Sequence, residues 1–254
     1  MNILITNDDG IRADGIIELA KEVSKIANVY VVSPDTQRSA TGHAITIHSP
    51  IMVNEEFIND DIKAYSISGT PADCVKLGIE GIFKDVNIDL VLSGINNGAN
   101  LGTDVIYSGT ASAAIEGLIQ NKPAIAVSYN EFNVSKEIYK EASKHVVEII
   151  ESMKDKLGLL DDCILNVNIP KGEVKGKKVT VLGDRKYENV MEERFSPYGK
   201  RYFWIGGKIK SVEQVENNDI DCVEDGYISI TPINIDMTNN KKVNTIKDMK
   251  IFND

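Results

Sequence analysis

The amino-acid sequence predicts an α/β fold in which a mostly parallel sheet is flanked by helices, followed by a β-rich C-terminal extension. Over the first two-thirds of the 254 residues, short apolar runs alternate with stretches of helical spacing, which is typical of βαβ units. Hydrophobic residues make up 42% and charged residues 26%, as in folded globular proteins. After about residue 180 the helical spacing fades, and strand-like segments are separated by polar stretches.

The elements follow in order along the chain. Strands are predicted at 2–6, 29–32, 88–92, 124–129 and 163–169, and helices between them, the last two at 109–120 and 135–157. The first helix is indicated by apolar residues at helical spacing from Ile16 to Ala27. Thr70, Pro71 and Asp73 predict another helix start, with Thr as the cap and Pro in the first helical position. That helix is expected to run to about Phe83.

The loss of helical spacing after about residue 180 divides the chain into a core, residues 1–180, and an extension, residues 181–254. Strand patterns at 201–205 and 227–231 lie in the extension. Tyr202, Phe203 and Trp204 form an aromatic cluster there, which we interpret as core or subunit packing. We expect the extension to pack on the core within one overall domain.

Charge and cysteine content exclude several classes of protein. Acidic residues outnumber basic ones by 38 to 28, and the formal charge of −10 disfavours duplex nucleic acid as a partner. No apolar run approaches the roughly 18 residues of a membrane span, and the first residues lack the basic segment of a signal peptide. Cys74, Cys163 and Cys222 form no CxxC pair, which suits reduced thiols in a cytoplasmic protein.

The run Asn7-Asp8-Asp9-Gly10 follows the first predicted strand. Ligands of parallel sheets bind beyond the carboxyl ends of the strands, and two adjacent carboxylates there suit a hard divalent cation. Asn, Asp and Gly are also the usual residues of a polar turn, and the run taken alone fits a turn somewhat better.

The second polar run, residues 33–43, follows the second predicted strand. It carries several hydroxyls, the guanidinium of Arg38, which suits a phosphate, and the imidazole of His43. A solvated loop would have the same composition. His43 has no acidic neighbour in the sequence, and we assign it no catalytic role.

The third run, residues 93–102, has glycine at every fourth position and offers the amides of Asn96 and Asn97. Ser108, Gly109 and Thr110 then open an Ala-rich helix, whose free N–H groups suit a phosphate. Because all three runs follow parallel strands, they are expected to meet at one edge of the sheet. Together they predict a metal site beside a phosphate site.

Several nucleotide-binding and hydrolase signatures are absent from the sequence. It contains neither GxGxxG nor GxxxxGK[ST], so dinucleotide and Walker-type sites lack support. It also lacks HExxH and the GxSxG elbow of serine hydrolases. The adjacent aspartates differ from the Asp-x-Asp of aspartyl-phosphate phosphatases.

Six short motifs, taken in order, give the chain a family resemblance. It resembles the SurE family, stationary-phase survival proteins that hydrolyse nucleotides with a metal ion. The motifs span residues 3 to 232 and are ILITNDDG (3–10), SPDTQRS (33–39), GTPAD (69–73), SGIN (93–96), YSGT (107–110) and ISITP (228–232). The four-residue NDDG is weakly specific, whereas the ordered set is highly specific.

The resemblance implies a Rossmann-like core and one divalent cation per subunit, Mg²⁺ or Mn²⁺. It implies hydrolysis of nucleoside 5′-monophosphates to nucleoside and phosphate, with 3′-nucleotidase and polyphosphatase activities in some members. It further implies a homodimer or homotetramer formed through the extension. The implied metal ligands are Asp8, Asp9, Ser39 and Asn96; the implied catalytic residues are Asp8 and Asp9; and substrate or phosphate binding is assigned to Asn7, Asn96, Ser108, Gly109 and Thr110.

Two other functions stay open at the level of sequence. One is a metal-dependent hydrolase acting mainly on other phosphate esters or on polyphosphate. The other is a catalytically silent nucleotide-binding protein, which the intact carboxylate pair disfavours because a binder needs only the phosphate loops.

Overall fold

The computed structural model describes residues 1–249. The strands are β1 (Asn2–Thr6), β2 (Asn28–Pro34), β3 (Val53–Glu56), β4 (Lys63–Ile67), β5 (Leu90–Asn97), β6 (Ala124–Tyr129), β7 (Cys163–Ile169), β8 (Lys177–Val179), β9 (Lys186–Glu188), β10 (Met191–Phe195), β11 (Arg201–Ile205), β12 (Lys208–Lys210) and β13 (Ile228–Asn234). The α-helices are α1 (Asp14–Val23), α2 (Pro71–Leu77), α3 (Gly109–Ile119), α4 (Lys136–Met153), α5 (Asp219–Glu224) and α6 (Asn240–Asp248). Shorter 3₁₀ helices span Gly102–Tyr107 and Leu157–Leu160.

A nine-stranded sheet forms the centre of the molecule, in the order β3-β4-β2-β1-β5-β6-β7-β13-β8. The six strands from β4 to β7 in this order pair in parallel, which confirms the predicted mostly parallel sheet. The chain builds outward from β1 through β2 to β4, then returns to the other side of β1 with β5. The order of strands therefore reverses between β1 and β5, where open α/β sheets form their ligand crevice.

Helices cover both faces of this sheet. Because successive side chains of a strand point to opposite faces, Ile3 and Ile5 of β1 pack with α1 and α4, for example against Leu19. Leu4, between them, packs on the other face with α2 and α3, for example with Val75. All of these side chains are fully buried, and each burial contributes roughly 1.5–3 kcal/mol of transfer free energy.

The predicted start of α2 is confirmed in detail. The Thr70 hydroxyl accepts a hydrogen bond from the Asp73 N–H, and the Asp73 carboxylate accepts one from the Thr70 N–H. The predicted end of the helix near Phe83 is also confirmed, although α-helical geometry stops at Leu77 and a π-helix continues over Gly78–Ile82. Two glycines in that turn weaken the α-helical preference.

The extension divides into parts that the sequence did not separate. Strand β13 enters the central sheet antiparallel to β7, so the sheet draws strands from both sides of residue 180. By contrast, β10 pairs with β11 and β9 with β12 in two hairpins outside that sheet. Helices α5 and α6 were not predicted. Residues 250–254 of the predicted extension lie outside the described residues.

The aromatic cluster on β11 is not part of this chain's core. Trp204 is 61% exposed and Phe203 50% exposed, because the β10–β11 hairpin pairs only with itself. The interpretation as core packing is therefore wrong, and subunit packing stays a prediction. No helix within residues 1–249 has the length and apolarity needed to cross a membrane.

Candidate functional site

The three polar runs and the start of α3 meet at the carboxyl ends of β1 and β5. The Arg38 N–H donates to the Asp8 carbonyl oxygen at 2.7 Å, which brings the second run onto the first. The Asn97 N–H donates to Oδ2 of Asp9 at 2.9 Å, which adds the third run. The Thr110 hydroxyl donates to Oδ1 of Asp8 at 2.6 Å, which adds α3. Both aspartates thus lie in the crevice where the strand order reverses.

Asp8 is a buried carboxylate that faces the N-terminus of α3. A Cβ atom added at Gly109 would lie 2.8 Å from Cβ of Asp8 and 2.9 Å from its Oδ2, so only glycine fits at this position. Burial raises the pKa of Asp8 to about 6; the hydrogen bond from the Thr110 hydroxyl lowers it, and the nearby Asp9 charge raises it. The close approach of α3 therefore places its first N–H groups and this carboxylate around one small space.

Asp9 is half-buried and is held by two donors. Besides the Asn97 N–H, which binds Oδ2, Nε2 of Gln37 donates to Oδ1 of Asp9 at 3.2 Å. Burial raises the pKa of Asp9. The Asn97 side chain is itself anchored, since its Oδ1 accepts from the Asn133 N–H at 2.7 Å and from the Tyr139 hydroxyl at 3.3 Å. Sequence reasoning assigned no site role to Gln37 or Tyr139, because nothing in their spacing indicates that they converge on Asp9.

The side chain of Asn7 has a structural role. Its side chain is fully buried, and its Oδ1 accepts from the Gly10 N–H at 3.1 Å and from the Ser33 hydroxyl at 2.5 Å. Its Nδ2 donates to the Gly10 carbonyl at 3.0 Å. Both ends of the amide are thus used inside the protein. Asn7 closes the turn that presents Asp8 and Asp9, and its assignment to substrate binding stays a prediction.

Asn96 and Ser39 each adjoin in sequence a residue whose N–H contacts the aspartate pair, Asn97 and Arg38 respectively. Nδ2 of Asn96 donates to the Gly98 carbonyl at 2.7 Å, and Oδ1 of Asn96 takes no part in that bond. Ser39 is exposed and follows Arg38, whose N–H contacts Asp8. Both predicted neutral oxygen ligands thus adjoin in sequence a residue whose backbone contacts an aspartate, and their role as ligands stays a prediction.

Ser108 caps α3, its hydroxyl accepting from the Ala111 N–H at 3.0 Å. The Thr110 hydroxyl is engaged with Asp8. Because the cap uses the Ala111 N–H, the N–H groups of Gly109 and Thr110 are the first-turn donors that could be offered to a phosphate.

The extension fixes the segment just before Ser108. The buried carboxylate of Asp219, on α5, accepts from the Gly102 N–H and from the Gly183 N–H, each at 2.8 Å. Arg185 pairs with Asp104 at 3.0 Å. These contacts tie the 3₁₀ helix of Gly102–Tyr107 to the extension. No sequence signal marked Asp219, since its partners lie far away along the chain.

His43 anchors the second polar run to α3. Its Nε2 lies 2.9 Å from Oε2 of Glu116, a buried residue of α3, and the Gly42 N–H donates to the Tyr107 carbonyl at 3.2 Å. The acidic partner missing from its sequence neighbourhood is thus supplied by tertiary structure. His43 contacts neither aspartate.

Comparison with known proteins identifies the family. The sequence profile of the family described as Survival protein SurE matches residues 3–189. The chain belongs to the SurE family. A relative from Alkaliphilus metalliredigens (strain QYMF), named 5′-nucleotidase SurE, is 46% identical over 99% of each chain. Another of that name, from Syntrophomonas wolfei subsp. wolfei, is 47% identical over 94% of this chain and 90% of the relative.

A solved structure agrees with this assignment. The crystal structure of the SurE protein from Aquifex aeolicus is similar to this chain with a TM-score of 0.84 and 38% identity, covering 98% of this chain and 100% of the other. The SurE resemblance inferred from the ordered motifs is therefore confirmed over the whole fold.

The chemistry of this SurE site fits a hard divalent cation. Within residues 1–249, neither Asp8 nor Asp9 forms an ion pair with Lys or Arg, so no cationic side chain neutralises them. The same range contains no group of three or more His, Cys, Asp or Glu arranged for a metal. A cation here would therefore depend on two carboxylates completed by neutral oxygens, a set that Mg²⁺ and Mn²⁺ accept.

The raised pKa of Asp8 predicts how the stability of the metal-free protein depends on pH. A folded-state pKa of about 6, above the ordinary 3.8, means that ionised Asp8 favours the unfolded chain. Below about pH 4 the Asp8 carboxyl is protonated in the folded protein, and the free energy of unfolding has its full value. As the pH rises through 6 the buried carboxyl ionises, and the free energy of unfolding falls by on the order of 3 kcal/mol. In urea unfolding with chelator, Asp8→Asn should match the wild type near pH 4 and exceed it near pH 7. Equal curves at both pH values would contradict the burial of an ionised Asp8.

Proposed function

We propose that the protein is a metal-dependent phosphatase that hydrolyses nucleoside 5′-monophosphates to nucleoside and phosphate. The observation that carries the proposal is the pair Asp8 and Asp9, set against the N-terminus of α3 in the crevice between β1 and β5. Carboxylates that repel a phosphate on their own can attract one through a shared cation. The names of the relatives from Alkaliphilus and Syntrophomonas support the same activity.

Asp8, Asp9, Ser39 and Asn96 would hold one Mg²⁺ or Mn²⁺ per subunit. When bound, the cation would polarise phosphoryl oxygens and lower the pKa of a water molecule. The contribution of the chain is to hold the ligands in place. Thr110 fixes Oδ1 of Asp8, Gln37 and the Asn97 N–H fix Asp9, and the Gly98 carbonyl fixes the amide of Asn96.

The first turn of α3 would bind the phosphate. The N–H groups of Gly109 and Thr110 and the positive end of the helix dipole suit a phosphate dianion, while Ser108 keeps the turn in shape. Gly109 allows this turn to lie against Asp8, so the phosphate and the carboxylate pair would be neighbours.

The nucleophile is proposed to be water rather than a side chain. His43, which could serve as a base for a serine, is instead paired with Glu116 and does not contact Ser39 or Ser108. Asp8 and Asp9 would orient the water for in-line attack at phosphorus, with the nucleoside oxygen leaving on the opposite side. The reaction would then proceed without a phosphoenzyme.

A phosphate-release screen tests this function and separates the alternatives. AMP, ATP and a short polyphosphate are each incubated with EDTA, with Mg²⁺ and with Mn²⁺. We expect release from AMP to require the metal, and kcat/KM to be highest for AMP because one helix N-terminus serves a single phosphate group. Full activity in chelator would refute the metal site, a preference for polyphosphate would favour the other hydrolase, and nucleotide binding without release would indicate a silent binding protein.

We also propose that the extension joins subunits into a dimer or tetramer. On the β10–β11 hairpin, Tyr202, Phe203 and Trp204 are between 40% and 61% exposed, a cluster that a partner subunit would cover. Trp204→Glu is therefore expected to lower the mass measured by light scattering. Leu159→Glu, at a 69% exposed position in a 3₁₀ turn, is the matched control and should leave the mass unchanged. An unaltered mass for Trp204→Glu would assign assembly to another surface.

A further inference from the structure

A cavity of about 250 Å³ opens beside Asp9, on the side of the sheet covered by α1 and α4. The phosphate-binding turn of α3 lies on the opposite side. The polar groups that line the cavity are Asp9, Asp14, Gln37, Asn97, Asn133 and Tyr139. A substrate whose phosphate lies at α3 and whose remainder lies in this cavity would pass over both aspartates.

The wall of the cavity is fixed relative to Asp9. The Asn97 N–H binds the Asp9 carboxylate, and the Asn97 side chain is bound in turn by the Asn133 backbone and the Tyr139 hydroxyl. Burial, followed by the charges of Asp9 and Asp14, raises the pKa of Tyr139 to about 12, so its hydroxyl remains a donor at neutral pH. A ligand that touches this wall is therefore held at a set distance from Asp9.

The cavity offers hydrogen-bonding groups that the protein does not use internally. Asp14, at the start of α1, is exposed and makes no ion pair or side-chain hydrogen bond with another residue of the described chain. The side-chain amide of Asn133 is likewise without a protein partner in residues 1–249, and Gln37 uses only its Nε2. A carboxylate beside two amides suits a group with neighbouring hydroxyls, because the carboxylate accepts and the amides both donate and accept.

An aromatic residue, Phe132, directly precedes the cavity-lining Asn133 in the chain. Phe132, next to Asn133, is 71% exposed, and its ring lies flush on Gly98: a Cβ atom added to that glycine would fall 2.3 Å from a ring carbon. This contact leaves much of the ring surface free. Such a surface suits the flat face of a nucleobase.

We propose that this cavity binds the nucleoside part of the substrate, with Asp14 accepting hydrogen bonds from the ribose hydroxyls and Phe132 contacting the base. The inference rests on the proposed function for its reaction, since it names the subsite that would distinguish a nucleotide from a simple phosphate ester. Asp14 and Phe132 are specificity residues in this assignment and do not touch the phosphate.

The test compares AMP with p-nitrophenyl phosphate, which has no ribose, for the wild type, Asp14→Asn and Phe132→Ala. For AMP, each variant should raise KM about tenfold while kcat changes less than about twofold; for p-nitrophenyl phosphate, Asp14→Asn should change neither constant. Glu137→Gln is the matched control for Asp14→Asn, since it also removes an acid from the first turn of an exposed helix start but does not line this cavity. It should behave as wild type with both substrates.

If Asp14 does not contact the ribose, Asp14→Asn should change KM in the opposite direction, because it removes a negative charge near an anionic substrate. Less repulsion would then lower KM for both phosphate esters alike. An unchanged or lowered KM for AMP in Asp14→Asn, or equal changes for both substrates, would overturn the proposal.

Calorimetric titration of AMP in the presence of chelator keeps the inference separate from the proposed function. If the wild type releases phosphate from neither ester, the proposed function fails. The affinity for AMP then still tests whether the cavity binds the nucleoside. Weaker AMP binding by Asp14→Asn and Phe132→Ala would support the subsite. Equal affinity in the wild type and both variants would overturn it.

Discussion

Asp8→Asn and Asp9→Asn are each expected to reduce phosphate release from AMP by at least about tenfold at saturating Mn²⁺, a rise of about 1.4 kcal/mol in the activation barrier. Each substitution preserves the shape of the side chain while removing one of the two charges on which cation binding depends. Asn in place of Asp8 can still accept the Thr110 hydroxyl hydrogen bond, so the turn and the start of α3 should keep their structure.

Stability measurements show whether a loss of activity in these variants is a loss of folding. Thermal melting of the metal-free Asp8→Asn protein near neutral pH should be no lower than that of the wild type, because burial raises the pKa of Asp8 and its ionised form is costly. If the NDDG run were only a turn, Asn would serve as well as Asp and activity would survive. Retention of more than about a tenth of the wild-type rate by both variants would place the metal elsewhere.

Gly109→Ala is expected to have the second largest effect, a loss of activity of at least about tenfold in a protein that still folds. The new methyl group would lie 2.8 Å from Cβ of Asp8, closer than non-bonded carbon atoms approach. Either Asp8 or the first turn of α3 must move, and a shift of one relative to the other separates the proposed metal and phosphate sites. Small displacements of this kind cost activity far more than they cost stability.

Gly158→Ala is the control for this substitution. Gly158 is exposed, and a Cβ atom there would meet nothing within 4 Å, so the same chemical change should leave kcat/KM and the melting temperature as in the wild type. Alanine also has the higher helix propensity at position 109, which works against a general destabilisation. Wild-type kcat/KM for Gly109→Ala would show that the contact between α3 and Asp8 is unimportant for the reaction.

Local patterns in the sequence predicted the parts of the fold that depend on neighbouring residues. The buried strands β1, β5, β6 and β7 were predicted from their apolar runs, and the start of α2 from Thr70 and Asp73, whose capping bonds span three residues. The meeting of the three polar runs followed from a general property of parallel sheets. The ordered motifs then led to the SurE family, which the comparisons confirm.

What depended on contacts between distant residues could be decided only by the tertiary structure. Asn7 was assigned to substrate binding and adjoins Asp8. Only the structure shows that its side-chain amide is already hydrogen-bonded to Gly10 and Ser33. His43 lacked an acid nearby in sequence and finds Glu116 across the fold, 73 positions away. Trp204 was interpreted as core or subunit packing, and the pairing of its hairpin leaves it on the surface.

The sequence by itself determined the class of the fold and the chemical character of the crevice, because apolar periodicity and residue type are local properties. The tertiary structure alone decided which polar groups are already satisfied by the protein and which are left for a ligand. It set the Asp8 carboxylate against α3 and tied the segment before Ser108 to Asp219. It also placed Asp14 in the cavity beside Asp9 with no side-chain partner among residues 1–249. Hydrogen-bond satisfaction and burial depend on every neighbour in space, and that information is not contained in any single stretch of chain.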